Sequence, residues 1–231
     1  MPRVRPLPRA EASPDVLKSY DLMFGADRDP VAEPGTTTGT PGNWWTVWAN
    51  VPGILKAFSA YPMAEAPLDA QLRELAFVRV GYLRGSQFVF SQHCKAARRV
   101  GLAEEKIASA PFWTIADVFT PAERAVLAFT DGLIVEAGRV HDQVFAALRE
   151  HLPEDHILML TYFVNMYALH ATATKALRLE YDDVPERVVE IPAPETRRVQ
   201  DWRDPAWADA AAKLRAGETE VTTRRDGWRS P

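Results

Sequence analysis

The segment that most restricts the fold of this chain lies late in it. Residues 157–177, ILMLTYFVNMYALHATATKAL, are apolar nearly all the way round a helix. A helix without a polar face is stable in water only inside a jacket of other elements. The sequence predicts this helix over 154–178, as the buried centre of the fold. No segment shows the period-two alternation of a strand, so the jacket must be helical. The expected fold class is all-α.

Punctuation by Pro and Gly sets out the jacket. Residues 1–12 are rich in Arg and Pro and read as an irregular arm. Ser13 or Asp15 is placed to cap a short helix that Gly25 ends near Phe24. Residues 29–43, dense in Pro, Gly and Thr, read as a long loop or lid. Trp44, Trp45 and Trp48 then fall within about one helical turn, and Pro52 opens a further short helix. Residues 68–84 and 86–100 are predicted as two helices separated by Gly85. Two more are predicted over 121–136, with Gly138 as the stop, and over 141–151. From Val184 onwards prolines and mixed charges mark an extended tail. Within it Trp202 and Trp207 are possible anchors and 205–216 a possible short helix. The organisation expected is therefore an arm with a short helix and loop (1–42), a helical domain (43–182) and a tail (183–231).

Composition narrows the function. The chain has 231 residues, 47% of them apolar, and a net charge of −4. Acidic residues outnumber basic ones, so no nucleic-acid partner is expected. A span of about 18 apolar residues is absent, so no membrane partner is expected. The N-terminus lacks the apolar core of a secretion signal. The single cysteine, Cys94, excludes an intrachain disulfide and fits a cytoplasmic location.

Chemistry concentrates in residues 73–102, RELAFVRVGYLRGSQFVFSQHCKAARRVGL. Glu74 is followed at i+3 and i+4 by Phe77 and Val78, so its carboxylate falls on an apolar stripe, with no base four places on to pair with it. His93 is flanked at the same spacings by Val89, Phe90, Ala96 and Ala97. Two helices joined by so short a turn pack antiparallel, which brings Glu74 and His93 towards one pocket. Burial tends to raise a carboxyl pKa and lower an imidazole pKa, and such a pair can trade protons near neutral pH. A lone His on an apolar face is, however, more often a hydrogen-bonded core residue, and periodicity alone does not make this pair catalytic. His170, on the apolar helix with Tyr167 beside it, reads first as a satisfied core histidine and second as a contributor to the same cavity. Arg79 and Arg84 are candidates for a substrate carboxylate or for ion pairs between subunits. His141, His151 and His156 lie near predicted helix ends and read as exposed. The carboxylates and imidazoles show no ligand-type spacing such as H-x3-H, so no metal is expected.

These residues resemble the core of the carboxymuconolactone decarboxylase family, which includes alkylhydroperoxidase D. Its peroxidase members carry Glu, eleven residues, Cys, two residues, Cys, three residues, His. Glu74 and His93 stand at that spacing, with Ser86 and Val89 at the two cysteine positions. The flanking NWWTVWANVPGILKAF and AERAVLAFTDGLI, and the long helix with Asn165 and Tyr167, extend the resemblance over about residues 43–182. The resemblance implies an AhpD-like helical fold and a homo-oligomer (dimer, trimer or hexamer). It implies no cofactor, and a small molecule as substrate. The family's peroxidase mechanism has no thiols at its own positions here. Cys94, one step past His93 and about 100° round the helix, points away from the motif face. The decarboxylase branch also lacks the cysteine pair. It implies a cofactor-free acid–base enzyme acting on a small organic acid or lactone. Glu74 and His93 would be catalytic. Ser86, Gln87, Trp48, Tyr167 and His170 would bind substrate. Two alternatives stand beside it: a peroxidase-related protein using Cys94 or an external thiol, and a non-catalytic, ligand-binding helical oligomer.

Overall fold

The structure, a computed structural model, describes residues 1–60 and 67–180. The tail 183–231, with Trp202, Trp207 and the possible helix at 205–216, lies outside the described residues. Within them every regular element is helical. In chain order these are α1 (Pro14–Phe24), α2 (Asn43–Trp48), α3 (Pro52–Ser59), α4 (Ala70–Leu83), α5 (Gln87–Arg99), α6 (Glu104–Ser109), α7 (Pro121–Ile134), α8 (Asp142–Arg149) and α9 (Glu154–Leu177). Short 3-10 turns lie at Arg9–Glu11 and Ala110–Ile115.

Local signals explain most boundaries. Ser13 caps α1, its Oγ accepting from the Val16 amide. Asp69 caps α4 by accepting from the Gln71 and Leu72 amides. Thr120 and Glu123 close a capping box on α7 behind Pro121. Residues 103–115 carry α6 and a 3-10 turn that sequence periodicity does not reveal. Both pieces are too short to build an apolar period, and Phe112 breaks the helical backbone within the 3-10 turn.

The core is built on α4, α7 and α9. Phe77, Val80, Val126, Leu160, Phe163 and Val164 are all fully buried in one cluster. A second cluster joins Leu75, Val78, Phe90, Ala97 and Leu127 across α4, α5 and α7. The α4–α5 contact is unusually close. A Cβ on Gly81 would lie 2.6 Å from the Phe90 backbone nitrogen, so only glycine allows this approach.

The apolar helix α9 differs in part from its expectation. Its inner faces are buried, but Leu158 is 70% exposed and Tyr162 and Leu169 are each 51% exposed. The jacket covers α9 on one side and leaves an apolar stripe on the other.

The N-terminal arm and the loop are tied to the helices. Arg3 donates from its amide to the Leu177 carbonyl and from Nη1 to the Ala176 carbonyl, satisfying the last turn of α9. The Tyr20 hydroxyl donates to the Leu7 carbonyl. The Thr36 hydroxyl lies 2.8 Å from those of both Thr38 and Thr40, and Lys95 donates to the Thr38 carbonyl. The loop is thus internally bonded and pinned to α5.

Candidate active site

Glu74 lies in the second turn of α4, and His93 lies midway along α5. Gly85, at φ 55°, reverses the chain between them, and Ser86 starts α5. The close crossing at Gly81 then lets the two side chains meet. His93 Nδ1 and Glu74 Oε2 are 2.7 Å apart, and both side chains are buried. At that distance the carboxylate fixes the imidazole's orientation and favours a proton on Nδ1. The other ring nitrogen is then the one available to accept a proton.

Aromatic rings surround the pair. Phe77 and Tyr167 both meet the His93 ring edge-on, with centroids 4.8 and 4.2 Å away. Tyr167 contacts His170 at 5.0 Å, and His170 contacts Trp44 at 4.4 Å and Phe58 at 5.2 Å. Trp48 completes the group against Trp44 and Phe58. Four of the sequence candidates, His93, Tyr167, His170 and Trp48, are therefore linked through ring contacts, with Phe58 as an added member. Burial, and to a lesser extent the Glu74 carboxylate, raises the Tyr167 phenol well above its ordinary value. Burial, followed by the nearby His93, pushes His170 down to about 3, so His170 is a neutral imidazole at physiological pH.

Ser86 and Gln87 lie apart from this group. Both line a cavity of about 350 Å³ together with Asn43, Thr174, Lys175 and the first residues of the arm. Glu74, His93, Trp48, Tyr167 and His170 do not line it. The Ser86 hydroxyl accepts from the Val89 amide at 3.3 Å and lies 3.3 Å from the Thr174 hydroxyl. It is a helix cap first of all.

The structure also places residues that spacing rules misread or missed. Glu74 does have a basic neighbour. Arg73 Nε lies 3.5 Å from Glu74 Oε1. Rules for i+3 and i+4 pairs overlook a partner at i−1, and the Arg-Glu doublet was the only sequence signal for it. Arg79 is not a surface arginine. It is buried, forms a two-pronged pair with Asp131 at 2.7 and 2.9 Å, and donates to the carbonyls of Ala110 and Pro111. It clamps α4 to α7 and to the 3-10 turn. Cys94 is fully buried in the second core cluster, which it shares with Phe90 of α5 and Leu75 of α4. His141 and His151 are exposed, and His156 is half-buried. Among the described residues no three His, Cys, Asp or Glu side chains gather as a metal site. None of the described helices is long and apolar enough to cross a membrane.

The all-helical core is an AhpD-like fold. Residues 52–132 match the carboxymuconolactone decarboxylase family. Over that segment the chain is similar to this family, and its single cysteine leaves it without a redox cysteine pair. It is 28% identical over 102 residues to the uncharacterized protein YdfG of Bacillus subtilis (strain 168), a match covering 44% of this chain and 69% of that one. Its fold is similar to the AhpD core of an uncharacterized peroxidase-related protein from Ralstonia eutropha JMP134. That similarity has a TM-score of 0.59 at 18% identity and covers 78% of this chain and 95% of the other. It is also similar to the debrominase Bmp8 in complex with 2,3,4-tribromopyrrole, with a TM-score of 0.58 at 16% identity, over 77% of this chain and 90% of that one.

Proposed function

We propose that this protein is a cofactor-free acid–base enzyme of the decarboxylase or isomerase type, acting on a small organic acid or lactone. The observation that carries this reading is the buried 2.7 Å contact between Glu74 and His93. In this mechanism Glu74 holds and orients the imidazole, while His93 takes a proton from the substrate and returns it at another atom. Neutral His170 and the Tyr167 hydroxyl, which keeps its proton, serve as polar groups in an otherwise aromatic wall, and Trp48 lines the far end. Ser86 and Gln87 line the outer cavity, where substrate would first be met.

The second reading is hydroperoxide chemistry. It is favoured by the structural likeness to a peroxidase-related protein. Its only internal thiol is Cys94, which is fully buried and set in another cluster, so this reading needs an external thiol or a substantial opening of the core. A non-catalytic role in ligand binding is the third.

One experiment separates them. Purified protein is screened against small carboxylated lactones and enols, and separately against hydroperoxides with a dithiol, alongside His93→Gln and Cys94→Ser. We expect turnover in the first screen, loss of at least about a hundredfold in His93→Gln with an unchanged helical spectrum, and no effect of Cys94→Ser. Full activity in His93→Gln removes the dyad from the mechanism. Hydroperoxide turnover that Cys94→Ser abolishes establishes the second reading instead. Binding without turnover in either screen supports the third.

A homo-oligomer is part of the same proposal. Between positions 158 and 172 the exposed residues of α9 are Leu158, Tyr162, Asn165, Leu169 and Thr172, with no charge among them. Such a face can pair with its own copy without like-charge repulsion.

A further inference from the structure

Two groups of opposite charge stand near the two ends of α9. Near its start the Asp155 carboxylate is exposed, and among the described residues no cation pairs with it. Near its end lies Arg84, the residue that closes α4, whose carbonyl accepts from Lys175 Nζ of α9. Among the described residues no carboxylate pairs with the Arg84 guanidinium, and its Nε is buried without a hydrogen bond. The side chain as a whole is half-buried. It lines an open groove of about 400 Å³ together with Asn165, Leu169 and Thr172 of α9. A guanidinium beside an open groove presents a flat fork of donors suited to a carboxylate.

The face between these charges has a regular spacing. Its exposed residues, Asp155, Leu158, Tyr162, Asn165, Leu169 and Thr172, follow one another at intervals of 3, 4, 3, 4 and 3. Alternation of that kind is the seam of a coiled coil, and a polar residue within the seam, here Asn165, favours one register. The intervals read the same in both directions. An antiparallel copy centred between positions 163 and 164 therefore falls into register with the first. Leu158 then meets Leu169 of the second copy, Tyr162 meets Asn165, and Asp155 meets Thr172 at the groove that Arg84 lines. A parallel pair would set Asp155 against Asp155 and Arg84 against Arg84, where like charges repel. The antiparallel pair sets opposite charges together twice, about 25 Å apart.

We infer that α9 packs antiparallel against α9 of a second copy, and that Asp155 of each copy pairs with Arg84 of the other. This rests on the reading of the α9 face as a homo-oligomer contact, and it adds the direction, the register and the charged pair that close that contact.

The test uses the full chain. Leu158→Cys and Leu169→Cys are purified separately, then oxidised alone and as a mixture. A disulfide needs α-carbons within about 7 Å, and in the antiparallel pair two copies of position 158 lie about 16 Å apart along the helix. The mixture should give linked pairs that neither protein forms alone. Linked pairs in Leu158→Cys by itself, or none in the mixture, overturn the arrangement. Sedimentation then follows the charges. Asp155→Arg and Arg84→Glu should each weaken self-association by at least about tenfold, and the double variant, which restores opposite charges, should recover most of it. Wild-type association in both single variants, or no recovery in a double variant of unchanged helical spectrum, overturns the ion pair. A monomeric wild type defeats the oligomer itself, whereas an oligomeric wild type that fails the cross-linking defeats only this arrangement.

Discussion

His170 shows how a single side chain can link the cluster to stability. Its folded pKa lies near 3, far below the ordinary value for an unfolded chain, because burial penalises the imidazolium. The unfolded state therefore binds more protons between about pH 3 and pH 6.5, and stability must rise with pH across that window. The stabilising effect is fully present above pH 6.5 and is lost as pH falls towards 3. His170→Phe, which keeps a ring against Trp44 and Phe58, should flatten this dependence. Urea midpoints at pH 7.5 and pH 4.5 measure it. An equally steep decline in the variant would show that other groups set the acid sensitivity. The sequence predicted a buried histidine here from its apolar neighbours. It gave no means of seeing that Trp44 and Phe58, more than a hundred positions away, form the wall.

Among the elements, the α4–α5 pair decides whether a site exists at all. Gly81 permits the crossing, and Glu74 and His93 meet because of it. In Gly81→Ala the new methyl group would press on the Phe90 backbone, which cannot swing aside as a flexible side chain could. We expect a loss of about 1–3 kcal/mol in stability, and a Glu74–His93 contact lengthened enough to depress activity in the folded fraction. Denaturant unfolding and the His93 imidazole NMR resonances would report the two effects. Wild-type values for both would mean that the helices can slide without consequence. Much of this pair was legible beforehand: two helices, the break at Gly85, and the inward direction of Glu74 and His93 all follow from periodicity. The approach of Arg73 to Glu74 was not, because neighbours in sequence point to different faces of an ideal helix. Arg79 was also misjudged, because its partner Asp131 lies 52 residues on and no local rule reaches that far.

Across the molecule, α9 carries both the inner wall of the site and the exposed apolar stripe. If a second copy covers the stripe, a charge placed there should lower the mass without disturbing the core. Leu158→Glu combined with Leu169→Glu should shift the sedimenting species towards monomer, and the helical spectrum should be unchanged. A wild type that is already monomeric, or a variant of wild-type mass, would remove α9 as the contact. The expectation of a helix buried on every side failed because apolar composition records what must be shielded from water without recording by which chain.

The Ser86 hydroxyl bears on what the start of α5 can tolerate. The family resemblance sets it where peroxidase members keep a thiol, yet here it closes the first turn of α5 and meets Thr174 at the floor of the outer cavity. Sulfur is a poor acceptor for a backbone amide. Restoring cysteine at 86 would therefore weaken the start of the helix that carries His93, and it would give no disulfide until Val89 had changed as well. The hydroxyl at 86 is thus a fixture of the scaffold: exchanging it for a thiol would cost the helix its anchor before it could offer any new chemistry.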